Sequence, residues 1–383
     1  MGFLGLGYTR IGKYVEGDRE ITFYHKQPRQ SLFFRNYKKS FEGLHPAFQD
    51  VIKKVLASDA MRRMRKVEIY FSLKDRRSFK KGLFEGMQEA AYDKTGPAHV
   101  LPIEMMNGEN RIYLYEDLIG IKAIAKTGAL EVLSGHQAVG EAQKEQMFAD
   151  ASEEIVRQTM SSIIHEITHL WHLRVSKAQE LTQKNLGRFH RASEKLFLGD
   201  IDTSGAQAFR TCWKEAREEL LFLLEFIVQE GLATYAGNLE AGRVTCERRS
   251  VFLDHEEKRS IAGDLNGKIL RSYELLQHMI AEQNPEHYVS AFRRLNENNR
   301  KFGYELGAHI YHTIFFVFDG ELSMDDIAPT NYSILLKLYE HACGKLGLRP
   351  LIGLDSDAVF CLRAHIRTLH DLRKGKPVKL WKS

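Results

Sequence analysis

The stretch SSIIHEITHL, residues 161–170, decides how the rest of the chain is interpreted. From residue 151 onward, apolar residues recur at helical spacing without proline or glycine, so the pattern predicts a helix. Positions four apart share one face of a helix, so His165 and His169 can bind one zinc ion together. Glu166 directly follows the first histidine, where a carboxylate can accept a proton from a water molecule activated by the metal.

A second stretch, FIVQEGLATYA at residues 226–236, supplies the carboxylate that this pair lacks. A catalytic zinc takes three protein ligands, and two histidines with one glutamate form a known set. Glu230 stands among apolar residues on a predicted helix, so its carboxylate needs a partner, and a metal ion is a natural one. Gly231 and Ala233 are small enough to let this helix approach the histidine helix closely. The sequence therefore predicts one zinc ion bound by the two histidines and Glu230.

Together the two motifs resemble the gluzincin branch of zinc metallopeptidases. HEITH at residues 165–169, followed by EGLATY at 230–235, is similar to the histidine pair and the Glu-Gly-x-Ala-x-Tyr block of aminopeptidase-like members. The resemblance implies that the two histidines and the first glutamate of the block bind zinc and that Glu166 is the general base. It also implies a zincin-like fold, hydrolysis of peptide bonds, and a peptide or protein substrate. Tyr235 matches the aromatic position of the block and is a further candidate catalytic residue.

This sequence departs from the family pattern in two ways. Sixty residues, from Leu170 to Gln229, separate the two motifs, which is far longer than in thermolysin-like and aminopeptidase members. The spacer must accommodate an inserted helical pair. The chain also lacks the Gly-x-Met-Glu-Asn block that recognises a free substrate amine in the aminopeptidases, so exopeptidase activity is not implied.

The metzincin branch can be excluded from the sequence itself. That branch requires glycine at the third position after the second histidine and histidine at the sixth. Here these positions hold His172 and Val175. His172 is then either a substitute ligand or, as we favour, a histidine at the surface or in support of the ligands.

A third stretch, FGYELGAHIYH at residues 302–312, is a candidate source of the group that stabilises the oxyanion. Zinc peptidases need a hydrogen-bond donor for the negative charge that develops on the attacked carbonyl oxygen. Tyr304 is the first candidate and His309 the second, because Gly303 and Gly307 permit close approach of the backbone. An amphipathic helix whose aromatic residues belong to the core explains the same pattern equally well.

Strand and helix patterns define the fold class. Strand patterns cover residues 20–24, 67–73, 100–106 and 111–115, and Asn107-Gly108 is a strong hairpin signal. Helical periodicity covers residues 46–57, 151–180, 188–196, 206–239, 255–282, 285–298, 301–318, 331–346 and 356–373, with Ser323 as a helix N-cap. The sequence predicts a mostly helical α+β protein.

The length of 383 residues favours two lobes. We expect residues 1–180 to form an α+β lobe with a small sheet, ending in the metal-binding helix at the cleft. Residues 181–383 are expected to form a helical lobe that carries Glu230. The substrate cleft is expected between the lobes.

Composition favours a soluble cytoplasmic protein. Hydrophobic residues make up 43% and charged residues 27%, and the net charge of +5 implies neither nucleic acid nor a membrane. Residues 1–17 lack the features of a signal peptide, and the longest apolar run, 220–228, is interrupted by Glu225. The four cysteines lack metal-binding spacing and are typical of reduced thiols. The sequence specifies no oligomeric state.

Two alternative functions remain open at this point. Basic runs at residues 62–66, 76–81 and 373–379 are compatible with a nucleic-acid-associated protein that carries a zincin domain. Charge runs are more often solvated faces or flexible tails, so we rank this function below hydrolysis. The other alternative is a catalytically silent zincin-fold scaffold, which the intact Glu166 disfavours.

Overall fold

A computed structural model describes residues 8–25, 46–72, 98–99, 110–115, 141–175, 226–245, 247–282, 301–354 and 356–373. These residues are mostly helical and contain one small sheet, which confirms the predicted α+β class. Among them, no helix combines the length and the apolar character needed to cross a membrane.

Within the described residues, the sheet has five strands in the order β1-β2-β3-β5-β4. Their bounds are Thr9–Glu16 for β1, Arg19–His25 for β2, Lys66–Ser72 for β3, Ala98–His99 for β4 and Arg111–Tyr115 for β5. The β1–β2 and β4–β5 pairs are antiparallel, whereas β3 runs parallel to both β2 and β5. The predicted strands at 20–24, 67–73 and 111–115 are confirmed within the described residues. The predicted strand at 100–106 and its turn at 107–108 lie outside them.

One face of the sheet forms the apolar core of the N-terminal region. Alternate residues of a strand point to opposite faces, and the residues on this face are at most 2% exposed: Ile21, Phe23, Val67, Ile69, Ile112 and Leu114. The opposite face carries a row of register partners, Tyr24, Tyr70 and Tyr113, whose rings stack on each other.

Two helices lie in the described part of the segment between β2 and β3. Helix α1, Pro46–Ala57, has the predicted bounds and begins with proline, which suits the first helical position because that residue needs no amide hydrogen. The short helix α2, Asp59–Met64, was not predicted, although Ser58 caps it by accepting a hydrogen bond from the amide of Met61. Arg19 of β2 donates to the carbonyl of Leu56 at 2.6 Å and ties α1 to the sheet.

The remaining elements within the described residues are helical. Their bounds are Glu141–Val175 for α3, 226–240 for the described part of α4, Arg248–Glu282 for α5, Ala308–Val317 for α6, Met324–Ile327 for α7, Tyr332–Leu346 for α8 and Asp357–Arg373 for α9. Residues Lys301–Gly307 form a π-helical segment that runs directly into α6. The helical run predicted over 301–318 is confirmed for residues 301–317, but its first seven residues are π-helical and not α-helical. Helices α3 and α5 also begin earlier than predicted.

Several other predictions concern these helices. Ser323 caps α7 in a capping box with Asp326, as expected from its position. The predicted helices at 188–196 and 285–298, the part of the 206–239 helix before residue 226, and the predicted lobe boundary at residues 180 and 181 lie outside the described residues.

The chain divides into two units. The first unit comprises Met1–Trp171 and Ala236–Val244, and it contains the sheet, α1 and α2. The second unit comprises His172–Tyr235 and Thr245–Ser383. Within the second unit, α5 packs against α9, and α6 packs against both α5 and α8.

Candidate metal centre

His165 and His169 on α3 and Glu230 on α4 bring three metal-ligand atoms together. Each side chain offers one such atom, and these atoms all lie within 4.8 Å of one another. Within the described part of the chain, no other group of three histidine, cysteine, aspartate or glutamate side chains meets this condition. This distance confirms the prediction that the three side chains are close enough to hold one metal ion.

The two histidines present the same ring nitrogen to each other. Their Nε2 atoms are 2.9 Å apart, and the rings are nearly perpendicular, with an interplanar angle of 85°. Two nitrogens bound to one tetrahedral zinc at about 2.0–2.1 Å are separated by roughly 3.3 Å. A small outward movement of either ring therefore gives the spacing that zinc requires, and the pair fits the ion.

Helix α3 places this pair on a rigid apolar support. Ile163, Ile164 and Ile167 are fully buried, and Trp171 is 5% exposed beneath the guanidinium of Arg63 at 4.7 Å. The hydroxyl of Thr168, between the two histidines, donates to the carbonyl of Ile164 at 2.8 Å. Because apolar side chains flank the histidines on both sides, the helix cannot rotate the pair toward solvent without exposing its core residues.

Glycine 237 sets the close approach of α4 to α3. A β-carbon at Gly237 would lie 2.5 Å from the carbonyl oxygen of Ser161, a distance that no real side chain adopts. Ser161 precedes His165 by four residues, so these two residues share one face of α3. Gly237 follows Glu230 by seven residues, so these two share one face of α4. Backbone contact at these two residues therefore turns the ligand-bearing faces toward each other.

The expectation that Gly231 lets α4 approach the histidine helix is wrong. A β-carbon at Gly231 would instead meet the backbone of Gly307 at 2.6 Å. At Gly303, a β-carbon would lie 3.2 Å from Cβ of Glu230 and would overlap the ring of Phe226. The π-helical segment thus lies directly on α4 beside the third ligand. This arrangement confirms that Gly303 and Gly307 serve close backbone approach.

The candidate catalytic residues have different surroundings. Glu166 is 6% exposed, so its carboxylate lies in a largely water-free environment next to a ligand. Tyr304 is half-buried on the π-helical segment and meets the ring of Phe226 edge-on at 5.9 Å. Tyr235 is 3% exposed, and its ring stacks on Phe315 at 5.1 Å.

His309 and His172 each hydrogen-bond away from the three ligands. His309 Nδ1 lies 2.8 Å from the Asp254 carboxylate, and its Nε2 lies 3.2 Å from Nδ1 of His255, so both ring nitrogens are engaged. His172 is buried, and its Nε2 donates to the carbonyl of Ala328 at 2.9 Å. His172 is therefore neither a surface residue nor a member of the ligand group.

The first basic run is paired with other side chains. Arg62 forms an ion pair with Asp59 at 2.7 Å, and Arg65 forms one with Asp18 at 3.4 Å. Met64, within the same run, is buried, so the run does not form a continuous basic surface. The run at 76–81 and the tail after residue 373 lie outside the described residues.

A cavity of about 380 Å³ lies in the first unit. Its walls come from α1, α3 and the end of α4, and they are formed by Lys54, Ala57, Ser58, Val156, Arg157, Met160, Glu240, Ala241 and Gly242. His165, His169 and Glu230 are not among the residues that line this cavity.

No protein family, curated protein or solved structure matches this chain in comparisons with known proteins.

Proposed function

We propose that this protein is a zinc-dependent metallopeptidase of the gluzincin type with a zincin-like fold. One observation carries the proposal: His165, His169 and Glu230 present three ligand atoms within 4.8 Å, and Glu166 is next to the first of them. Two imidazoles and one carboxylate are a ligand set of catalytic zinc, which keeps a fourth position open for water or substrate.

A zinc ion held by these residues supplies Lewis-acid chemistry, polarising a carbonyl oxygen and lowering the pKa of water. Glu166 accepts a proton from the water molecule while the oxygen of that water forms a bond to the scissile carbonyl carbon. The same carboxyl then delivers that proton to the amine nitrogen as the carbon–nitrogen bond breaks. Burial suits Glu166 to this exchange, because a proton on a carboxylate shielded from water is passed to the substrate instead of to solvent.

Tyr304 is the residue that we assign to the oxyanion. Its hydroxyl group is a hydrogen-bond donor, and the π-helical segment that carries it contacts α4 beside Glu230 through Gly303. Single π-helical turns occur frequently at functional sites, which is in keeping with this role. Tyr235 and His309 have no step in the proposed reaction, because the ring of Tyr235 stacks within the core and both nitrogens of His309 are engaged.

The proposed substrate is a peptide or protein in the cytoplasm. Cys343 and Cys361 are free thiols in the described part of the chain, as the cytoplasmic prediction expects. We advance no nucleic-acid function, because the arginines of the first basic run are paired with Asp59, Asp18 and Trp171.

The Glu166→Gln substitution tests the proposal directly. The amide keeps the shape of the side chain but cannot accept a proton, so the variant should bind zinc normally and lose about 10²- to 10⁴-fold in turnover. Turnover is measured as the rate at which new amino termini appear in a complex peptide mixture incubated with zinc-loaded protein. A variant as fast as the parent would remove Glu166 from the reaction. A zinc-loaded parent that cleaves no peptide would instead favour a silent scaffold.

A further inference from the structure

A group of one partly exposed carboxylate and three buried imidazoles lies in the second unit and has no part in the proposed reaction. We call it the Asp254 cluster, and its members are Asp254, His255, His309 and His312. The three histidines are between 1% and 2% exposed. Polar groups so deeply buried destabilise a fold unless they are hydrogen-bonded, so their arrangement must provide compensating contacts.

The contacts of the cluster converge on the Asp254 carboxylate. Its Oδ2 atom lies 2.8 Å from Nδ1 of His309 and 3.5 Å from Nδ1 of His312. Burial raises the pKa of Asp254, but the hydrogen bonds from His309 and His312 outweigh it and hold that pKa well below its usual value. The carboxylate is therefore charged and fastens two side chains of α6 to α5.

The outer contacts of the cluster complete this attachment. Nε2 of His312 lies 3.1 Å from the carbonyl oxygen of Thr245, so both nitrogens of His312 face acceptors. Burial lowers the pKa of His255, which favours the neutral ring whose Nδ1 can accept from His309. Lys258 lies 3.9 Å from Asp254 and 3.3 Å from Glu305 of the π-helical segment, and it adds a second link between the same elements.

The elements that the cluster holds together form the support of Glu230. Helix α6 continues without interruption from the π-helical segment, whose Gly307 backbone rests on Gly231. Tyr311 of α6 also donates to the carbonyl of Val228 at 3.0 Å. Since Val228 and Gly231 bracket Glu230 on α4, any shift of α6 is transmitted to the third ligand by direct backbone contact.

We propose that Asp254 is a positioning residue for Glu230. It fixes His309 and His312, which hold α6 and the π-helical segment on α5, and this support sets the place of the Glu230 carboxylate. The inference rests on the proposed role of Glu230 as a zinc ligand. If the inference is correct, the zinc affinity depends on the carboxylate of Asp254, although Asp254 does not bind the metal.

The test measures the zinc dissociation constant of the full chain by competition with a chromophoric chelator. Asp254→Asn should raise this constant by up to about 10-fold, the lower end of the cost of removing a group that hydrogen-bonds a ligand directly, because Asp254 acts on Glu230 through α6. Asp264→Asn is the matched control, because Asp264 lies on the same helix but forms only a surface ion pair with Lys268. Its zinc affinity should equal that of the parent.

A second pair of variants separates positioning from general loss of stability. Asparagine can replace the Nδ1 donor of an imidazole, so His309→Asn should keep most of the zinc affinity, whereas His309→Ala should behave like Asp254→Asn. Circular dichroism of the metal-free proteins confirms that the variants compared are folded. If Asp254→Asn does not fold, the two His309 variants decide the matter.

The possible outcomes are distinct. If Asp254→Asn and His309→Ala bind zinc as tightly as the parent while Glu230→Ala does not, the positioning role is wrong and the zinc site stands. Equal losses for His309→Asn and His309→Ala would likewise overturn it, because the hydrogen bond to Asp254 would then be irrelevant. A parent that binds no zinc would instead overturn the proposed function.

Discussion

At the scale of single residues, Gly237 shows how strongly one position constrains the centre. Its missing side chain lets α4 touch the backbone of α3 at Ser161, on the same helix faces that carry Glu230 and His165. A carbonyl oxygen of a buried helix cannot move aside cheaply, because the hydrogen bonds of its own turn would be disturbed. The geometry of the ligands therefore depends on this glycine.

The substitution Gly237→Ala should destabilise the protein by about 1–3 kcal/mol, as expected when an extra methyl group is forced into a packed contact. Urea-induced unfolding of the metal-free protein, followed by circular dichroism, measures the change in the free energy of unfolding. Gly263→Ala is the control, since a β-carbon there would meet nothing within 4 Å. That control should gain about 0.5–1 kcal/mol from helix propensity. Equal stabilities for the two variants would contradict the close contact at Gly237.

The site residues that could be predicted are those whose relation depends on short separations in the sequence. The histidine pair and Glu166 are encoded by local spacing on one helix, and Glu230 was found because a carboxylate in an apolar stretch needs a partner. The partner of Gly231 was predicted wrongly, because small residues reveal close packing but not the element packed against them. His309 and Asp254 are 55 residues apart, and nothing in the sequence joins them.

At the scale of elements, the π-helical segment is the clearest departure from the sequence pattern. Its apolar residues follow helical spacing, and a segment of seven residues is too short for that spacing to distinguish the wider π-turn from an α-turn. The presence of α1 was predictable because its buried face and initial proline are local features. The early start of α3 was missed because no apolar stripe marks residues 141–150.

Helix α8 carries a prediction about alkaline stability. Burial raises the pKa of the Cys343 thiol to about 11, from a reference value of 9.0. A group whose pKa is raised by folding stabilises the native state below the unfolded pKa, and this contribution is lost as the pH rises through the folded value. The parent should therefore lose up to about 2–3 kcal/mol from this residue between pH 9 and pH 11.

Replacing Cys343 by alanine removes this titration. Urea unfolding at pH 8 and pH 10.5 should show a smaller loss of stability for Cys343→Ala than for the parent, even though the variant is less stable at pH 8 because of the cavity it creates. Cys361→Ala is a useful comparison, because Cys361 is less buried than Cys343 and its titration should contribute less. A parent and a Cys343 variant with identical pH dependence would show that the thiol does not contribute.

At the scale of the whole molecule, the α+β class was predictable, whereas the pairing of the strands was not. The predicted hairpin of strands 100–106 and 111–115 lies partly outside the described residues, and the observed antiparallel partner of β5 is β4, which precedes the predicted strand. The parallel pairs of β3 with β2 and with β5 join strands distant in sequence, and their register depends on how the connecting segments cross the sheet. Periodicity contains no information about such crossings.

The composition of the two units was equally inaccessible from the sequence. Residues Ala236–Val244 group with the N-terminal part of the chain, although they follow Glu230 by only a few positions. Tertiary contacts such as that of Gly237 with Ser161 produce this grouping. A boundary drawn between consecutive segments of sequence cannot reproduce it.

The central claim is that three side chains of this protein bind one zinc ion, and metal analysis of the purified chain tests it most directly. After dialysis against a moderate chelator, the parent should retain one zinc per chain, and Glu230→Ala should retain far less, because a ligand has been removed. Glu247→Ala, which removes an exposed carboxylate outside the ligand group, should match the parent. A full equivalent of zinc in Glu230→Ala, or no zinc in the parent, would contradict the proposed centre.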